Sequence, residues 1–206
     1  MSLNIYLTRH GQDEDNVNGI LNGHRNQKLT DLGEDQARRL AGHIKSSALS
    51  FLAVYCSPLE RAKHTAEIIC LTLDRQKPKI LDLLIERNFG IMTGRPLADI
   101  ERLCAPDLFK TETINYFLSP VGAETFPDLI SRSHKLLSEI LERHKEGNIL
   151  LVTHGDIGKM IYATYYNLDW QDVLRQFHFG NSDLLILSPD SKAEDAHVFK
   201  NQQFNP

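Results

Sequence analysis

The chain has 206 residues, of which 41% are hydrophobic and 24% are charged, with a formal net charge of −4. This composition is typical of a globular domain, and the acidic excess argues against a nucleic-acid-binding protein, which usually carries a basic surface. The three cysteines are scattered, and neither a leader nor a membrane-spanning apolar run is visible. We therefore predict a cytoplasmic protein with no membrane contact and no disulfide framework.

The N-terminal part of the chain predicts two units in which a strand precedes a helix. Residues 3–8 are mostly apolar and predict a strand, whereas residues 12–29 are polar and predict a loop. Thr30 is a good N-cap, and apolar residues follow it at helical spacing. Residues 51–56 predict the next strand. Ser57-Pro58 predicts a helix start, with Ser57 as the cap and Pro58 in the first turn.

The remaining sequence continues this alternation, which favours a three-layer α/β/α sandwich with a mostly parallel central sheet. We predict one domain over residues 1–206. Residues 88–126 are irregular, and we expect a small cap that selects the substrate, because long irregular connections often cover active sites. The other predicted elements are an edge strand at 78–84, a short helix near 97–104, a long helix at 127–145, a buried strand at 149–153, a helix at 157–167, and strands at 183–188 and 196–199.

Three predicted strands end in side chains that can handle a phosphate. The first ends at Arg9-His10-Gly11, the second is followed by Arg61, and the third ends at His154-Gly155. Sites in open α/β sheets form beyond the carboxyl ends of the strands. Arginine offers a rigid fork that matches phosphate oxygens, and a neutral histidine nitrogen can attack phosphorus. If these strands are neighbours, two imidazoles and two guanidiniums meet at one rim. A glycine follows each histidine, and we expect it to let the ligand approach the backbone closely.

Two simpler interpretations stay open at this point. Any single histidine is more often a structural residue than a catalyst. His10 and His154 could instead bind zinc, although no third ligand lies at a recognisable spacing.

Several longer motifs occur in order along nearly the whole chain. They are Leu7-Thr8-Arg9-His10-Gly11-Gln12, Asn16, Asn22-Gly23, Leu29-Thr30 with Gly33, Gln36 and Ala37, Cys56-Ser57-Pro58-Leu59-Glu60-Arg61-Ala62 with Thr65-Ala66, Glu86-Arg87-Asn88-Phe89-Gly90, Gly122-Ala123-Glu124-Thr125, and Val152-Thr153-His154-Gly155. This ordered set resembles the histidine phosphatase superfamily, in its phosphoglycerate mutase-like branch.

The resemblance implies a phosphohistidine mechanism without a metal or other cofactor. His10 would be the nucleophile, and Glu86 would act first as general acid and then as base. Arg9, Arg61 and His154 would bind the transferred phosphoryl group, with Asn16 helping. The resemblance extends the phosphate-binding set to Asn22, Gly23 and Gly155.

Departures from the family pattern bear on the reaction. Asp13 stands where Ser or Thr is common and adds negative charge near the phosphate site. No Arg-Arg pair lies between residues 95 and 126. The cap therefore lacks two adjacent guanidiniums that could bind a bisphosphate. We therefore favour a phosphatase acting on a small phosphorylated metabolite, with sugar phosphates among the candidates. Residues that could hold the rest of the substrate are His24, Arg25, Lys28, Arg87 and Arg95.

Two other functions remain as alternatives. One is phosphoryl transfer of the phosphoglycerate mutase type. The other is a non-catalytic relative that binds a phosphorylated ligand, against which the complete set of His10, Arg61, Glu86 and His154 argues. The assembly state is open, with a homodimer as one option.

Overall fold

The computed structural model describes residues 2–201. Its strands are β1 (Leu3–Arg9), β2 (Ala53–Cys56), β3 (Lys79–Ile80), β4 (Leu108–Lys110), β5 (Asn115–Phe117), β6 (Gly147–Thr153), β7 (Leu184–Leu187) and β8 (His197–Phe199). Its α-helices are α1 (Glu14–Val17), α2 (Asp31–Ser46), α3 (Glu60–Thr72), α4 (Asp99–Cys104), α5 (Phe126–Arg143), α6 (Gly155–Tyr165) and α7 (Trp170–Gln176). Short 3-10 helices cover Asp82–Leu84, Gly90–Met92 and Ala193–Asp195.

The central sheet has six strands in the order β3-β2-β6-β1-β7-β8. The first four are parallel, and β7 and β8 pair antiparallel at the other edge. Arg9 of β1 lies opposite Thr153 of β6. The residues that follow these two are His10 and His154, so the register alone brings both histidines to the same point of the sheet edge.

Helices cover both faces of the sheet, as predicted. Alternate residues of a strand point to opposite faces, and on β6 Leu150 packs with α2 and α3 while Leu151 packs with α5 and α6. The architecture is the predicted three-layer α/β/α sandwich. None of the described helices combines the length and apolarity needed to cross a bilayer.

Helix boundaries follow the local capping chemistry. Thr30 accepts a hydrogen bond from the backbone N–H of Gly33, which confirms it as the N-cap of α2. The long helix α5 starts at Phe126 rather than 127, because Thr125 and Asp128 form a capping box. The prediction that Ser57 caps a helix is wrong, because α3 starts at Glu60 and the Ser57 hydroxyl has another partner.

The irregular stretch 88–126 contains α4, as predicted, and also a two-stranded hairpin formed by β4 and β5 that the sequence did not indicate. It has a small apolar core of its own, in which Phe89, Met92, Ile100 and Phe117 pack against Leu21. Its role in choosing the substrate stays a prediction.

Candidate active site

The two histidines and Arg61 converge at the carboxyl edge of β1, β2 and β6. The ring centroids of His10 and His154 lie 5.1 Å apart. Arg61 Nε lies 3.2 Å from His10 Nε2. All three side chains are buried, with at most 2% of each residue exposed. The convergence predicted from the sequence is confirmed.

His10 presents a lone pair at Nε2. Its Nδ1 lies 2.7 Å from the carbonyl oxygen of Gly11, which can only accept a hydrogen bond. We therefore place the ring proton on Nδ1. Burial and the nearby Arg61 and Arg9 hold the pKa of His10 well below its usual range. The ring is neutral at physiological pH, and Nε2 can act as a nucleophile when a ligand oxygen replaces it as the acceptor of the Arg61 Nε–H.

His154 is oriented by Ser57. Ser57 Oγ accepts the N–H of Leu59 at 3.2 Å and lies 2.7 Å from His154 Nε2. We assign the hydroxyl proton to the bond with Nε2, which leaves the ring proton on Nδ1. That Nδ1 is buried and makes no hydrogen bond within residues 2–201. It is a donor prepared for an oxygen of a ligand.

Arg61 is fixed by the loop that follows α1. Its Nη1 donates to the carbonyl oxygen of Arg25 at 2.7 Å, and its Nη2 donates to that of Gly23 at 3.0 Å. Gly23 has a φ of +49°, a conformation that favours glycine. The loop therefore sets the plane of the guanidinium and aims Nε at His10.

Arg9 adds a second guanidinium at the rim. Its Nη1 donates to the carbonyl oxygen of Phe179 at 3.1 Å. Its Nε is buried and has no hydrogen-bond partner among the described residues. Arg9 and His154 thus each hold a buried N–H without an acceptor, which is what a site for an anionic group would provide.

Glu86 lies on the N-terminus of α6. Its carboxylate accepts backbone N–H groups of Arg87, Gly155, Asp156 and Ile157 at 2.8–3.3 Å. Burial and the nearby Asp156 carboxylate raise the pKa of Glu86, and the bonds from Arg87 and Ile157 oppose that rise. Glu86 therefore lies next to His154 with its affinity for a proton increased.

The other predicted phosphate-binding residues surround this group. Asn16 Oδ1 accepts from Asn181 Nδ2 at 3.3 Å. Asn22 directs its amide N–H groups to Asp13. A Cβ added to Gly155 would lie 3.8 Å from both Arg9 Cζ and Glu86 Oε2, so a larger residue there would enter the site. No group of three or more potential metal ligands is present in the part of the chain that the structure describes.

Gly11 has a different purpose from the one its motif suggested. We expected a glycine after each histidine to let the ligand approach the backbone. A Cβ on Gly11 would instead lie 2.2 Å from the carbonyl oxygen of Gly33 in α2. The small residue is needed because the histidine loop packs directly against that helix.

Several residues escaped the sequence reasoning. Asn181 donates to the carbonyl oxygen of His10 at 2.9 Å, and no sequence signal marks it. Thr65 Oγ1 accepts the N–H of Gly11 at 3.1 Å, and its motif with Ala66 was a signal that went unused. Arg87, by contrast, was a candidate for holding the substrate, but it donates to the carbonyl oxygens of Phe117 and Glu124. These bonds hold the cap segment and leave Arg87 little to offer a substrate.

The comparisons with known proteins establish the family of the chain. The family model of the histidine phosphatase superfamily (branch 1) matches residues 5–202. The chain belongs to this superfamily.

Relatives in the superfamily include both phosphatases and mutases. The chain is 31% identical to the adenosylcobalamin/alpha-ribazole phosphatase of Escherichia coli (strain K12) over 170 residues, 78% of each protein. It is 27% identical to a 2,3-bisphosphoglycerate-dependent phosphoglycerate mutase of Azorhizobium caulinodans over 93% of this chain and 95% of the relative. The native structure of a mycobacterial glucosyl-3-phosphoglycerate phosphatase superimposes with a TM-score of 0.77 at 23% identity, covering 97% of this chain and 99% of that one.

Without the Ser57 hydroxyl, the orientation and the proton position of the His154 ring are no longer fixed. In Ser57→Ala the imidazole proton can move to Nε2, so that Nδ1 presents a lone pair to a phosphate oxygen. We expect kcat for a phosphomonoester to fall about tenfold. Ser133→Ala is the matched control, because Ser133 is equally buried and its hydroxyl has no partner among residues 2–201. Equal rates in the two variants would rule out this role for Ser57.

The neutral histidines will also make stability depend on pH. Below about pH 6.5 the unfolded chain binds protons at these residues, whereas burial holds the pKa of His10 and of His154 well below that value in the folded protein. The free energy of unfolding therefore falls as pH drops, by about 1.4 kcal/mol per pH unit for each histidine. Urea unfolding at several pH values will show a flatter slope for His154→Gln than for a variant of the partly exposed His64. Parallel slopes would contradict the buried neutral state.

Proposed function

We propose that the protein is a phosphatase that hydrolyses a small phosphomonoester through a phosphohistidine on His10. The observation that carries this proposal is the neutral, buried Nε2 of His10, placed beside Arg61 and His154 at distances that suit one phosphoryl group. Burial excludes water and strengthens these charge interactions.

In the first step, His10 Nε2 attacks phosphorus and the bond to the ester oxygen breaks. Arg9, Arg61 and the Nδ1–H of His154 would donate to the three non-bridging oxygens, where charge must be stabilised. The proton of Glu86 would pass to the leaving oxygen, and the alcohol departs. The raised pKa of Glu86 supports this role, because burial and the nearby Asp156 carboxylate increase the affinity of its carboxylate for a proton.

In the second step, water attacks the phosphoryl group of phosphohistidine. Glu86, now ionised, would take a proton from that water as the P–N bond breaks. Inorganic phosphate then leaves, and His10 returns to its neutral form with the proton still on Nδ1. Its carbonyl partner Gly11 keeps that tautomer throughout the cycle.

Hydrolysis is favoured over mutase chemistry by the composition of the cap. A mutase must grip a second phosphate or carboxylate while it turns the substrate, and the segment 88–126 has no Arg-Arg pair. The buried cation that precedes this segment, Arg87, is bonded to cap carbonyls. We propose a small phosphorylated metabolite as the substrate, acted on in the cytoplasm, without a nucleic-acid or membrane partner.

A panel of phosphomonoesters tests this proposal. It should include p-nitrophenyl phosphate, 3-phosphoglycerate, sugar phosphates and alpha-ribazole phosphate, the last because of the named phosphatase relative. We expect release of inorganic phosphate from at least one metabolite, unchanged by a metal chelator. Activity that a chelator abolishes would favour a metallohydrolase. Conversion of 3-phosphoglycerate into 2-phosphoglycerate without net release of inorganic phosphate would favour the mutase.

A further inference from the structure

Asp13 lies directly behind the nucleophile. Its Oδ2 lies 3.9 Å from His10 Nδ1 and 3.3 Å from Arg61 Nε, and the side chain is fully buried. The sequence marked Asp13 only as an added negative charge near a phosphate site. The mechanism above does not use it.

The carboxylate is held in place from several sides. Oδ1 accepts the N–H of Asn16 at 2.8 Å, so that Asp13 also caps α1. The Asn22 amide donates to both carboxylate oxygens, at 3.0 and 2.8 Å. These neutral donors fix the carboxylate, and Arg61 forms an ion pair with it. The carboxyl group is therefore held in one position beside His10.

The His10 ring gains a positive charge during the reaction, and the Asp13 carboxylate lies close enough to stabilise that charge. When Nε2 forms a bond to phosphorus while Nδ1 keeps its proton, the ring becomes an imidazolium with one positive charge. The pocket resists that charge, since burial and two guanidiniums already hold the pKa of His10 low. A carboxylate about 4 Å from Nδ1 offsets this resistance, because Coulomb attraction is strong in a buried setting.

We propose that Asp13 is a positioning residue that stabilises the phosphorylated imidazolium of His10 and so speeds the first step relative to the second. This inference rests on the proposed phosphohistidine route. Asp13 touches neither the ester nor the water, and it acts through His10 and through the orientation of Arg61 Nε. In the second step the His10 ring loses its positive charge as the P–N bond breaks. The Asp13 carboxylate therefore stabilises phosphohistidine more than it stabilises the transition state for hydrolysis.

Asp13→Asn tests the charge while keeping the shape. Asparagine is a good N-cap and can still bond to Asn22. The readouts are kcat at saturating p-nitrophenyl phosphate and the steady-state fraction of His10 that is phosphorylated, measured with a radiolabelled substrate and an alkaline quench. With that fraction called f, the hydrolysis rate constant equals kcat/f and the phosphorylation rate constant equals kcat/(1 − f).

We expect the phosphorylation rate constant to fall about tenfold to a hundredfold in Asp13→Asn, and f to fall with it. The hydrolysis rate constant should stay equal or rise. A merely structural role would displace His10, slow both steps alike and leave f unchanged. An unchanged f, or an unchanged phosphorylation rate constant, would overturn the proposal.

Two further variants complete the test. Asp13→Ser keeps a helix cap without the charge and should lower f in the same way, which covers the case in which Asp13→Asn folds poorly. Asp15→Asn is the control. Asp15 is a second buried carboxylate of α1, but it pairs with Arg25 rather than with His10, so f should stay at the wild-type value. If wild-type His10 is never phosphorylated, the proposed function fails. If it is phosphorylated and f does not respond to Asp13, only this inference fails.

Discussion

His10→Ala loses turnover of every phosphomonoester by at least about ten-thousandfold. The reason is that, within residues 2–201, no other neutral, buried imidazole nitrogen presents its lone pair toward Arg61 at the centre of the site. His154 cannot replace it, because Ser57 occupies its Nε2 and its Nδ1 carries the proton. Loss of a covalent nucleophile removes both steps of a two-step route, whereas loss of a binding residue only weakens one.

Initial rates with p-nitrophenyl phosphate measure this effect. His64→Ala is the matched control, since His64 is a partly exposed residue of α3 that lies 3.9 Å from Glu34. It should keep the wild-type rate. Circular dichroism and thermal unfolding must show that His10→Ala is folded. Turnover within tenfold of the wild type would refute His10 as the nucleophile.

Comparing two leaving groups in Glu86→Gln tests whether Glu86 supplies the proton to the leaving oxygen. An alkyl phosphate releases a basic alkoxide that needs a proton, whereas p-nitrophenyl phosphate releases a stable phenolate that does not. We expect kcat/KM to fall about a thousandfold for a sugar phosphate but only about tenfold for p-nitrophenyl phosphate.

The ratio of these two effects is the diagnostic quantity. Glutamine also turns an amide N–H group toward the backbone N–H groups at the start of α6, so the variant will lose some stability. A partly unfolded preparation lowers both rates by the same factor and leaves their ratio unchanged. Equal losses for the two substrates would show that Glu86 does not supply the proton.

Much of the fold and the centre of the site could be predicted because both follow from short-range patterns. Apolar runs end at Arg9-His10 and at Thr153-His154, and parallel strands align their carboxyl ends at one edge. Once β1 and β6 pair in register, the two histidines must lie side by side. Arg61 could be predicted for the same reason, because it follows the strand next to β6.

The supporting contacts could not be predicted because they join residues across space without a local pattern. Nothing in the sequence near Ser57 indicates a hydrogen bond to His154, which is 97 positions away. Capping propensity suggested a helix start at Ser57, but its hydroxyl bonds to His154 instead. Gly11 looked like a ligand-facing glycine because the packing of Gly33 against the histidine loop is visible only in three dimensions.

The cap hairpin escaped prediction for a compositional reason. Its strands β4 and β5 have three residues each and no clean alternation of polar and apolar side chains. Strands this short are specified by pairing with each other and by packing against α4 rather than by their own sequence. The apolar core around Phe117 supplies that packing.

The identity of the phosphorylated residue is the most direct test of the whole account. Wild-type protein is mixed with a radiolabelled phosphomonoester, quenched in alkali during turnover, digested and mapped by mass spectrometry. The account predicts an acid-labile, alkali-stable phosphoryl group on the peptide that contains His10, at the nitrogen Nε2. A label on the peptide that contains His154, or steady turnover with no labelled peptide at all, would contradict it.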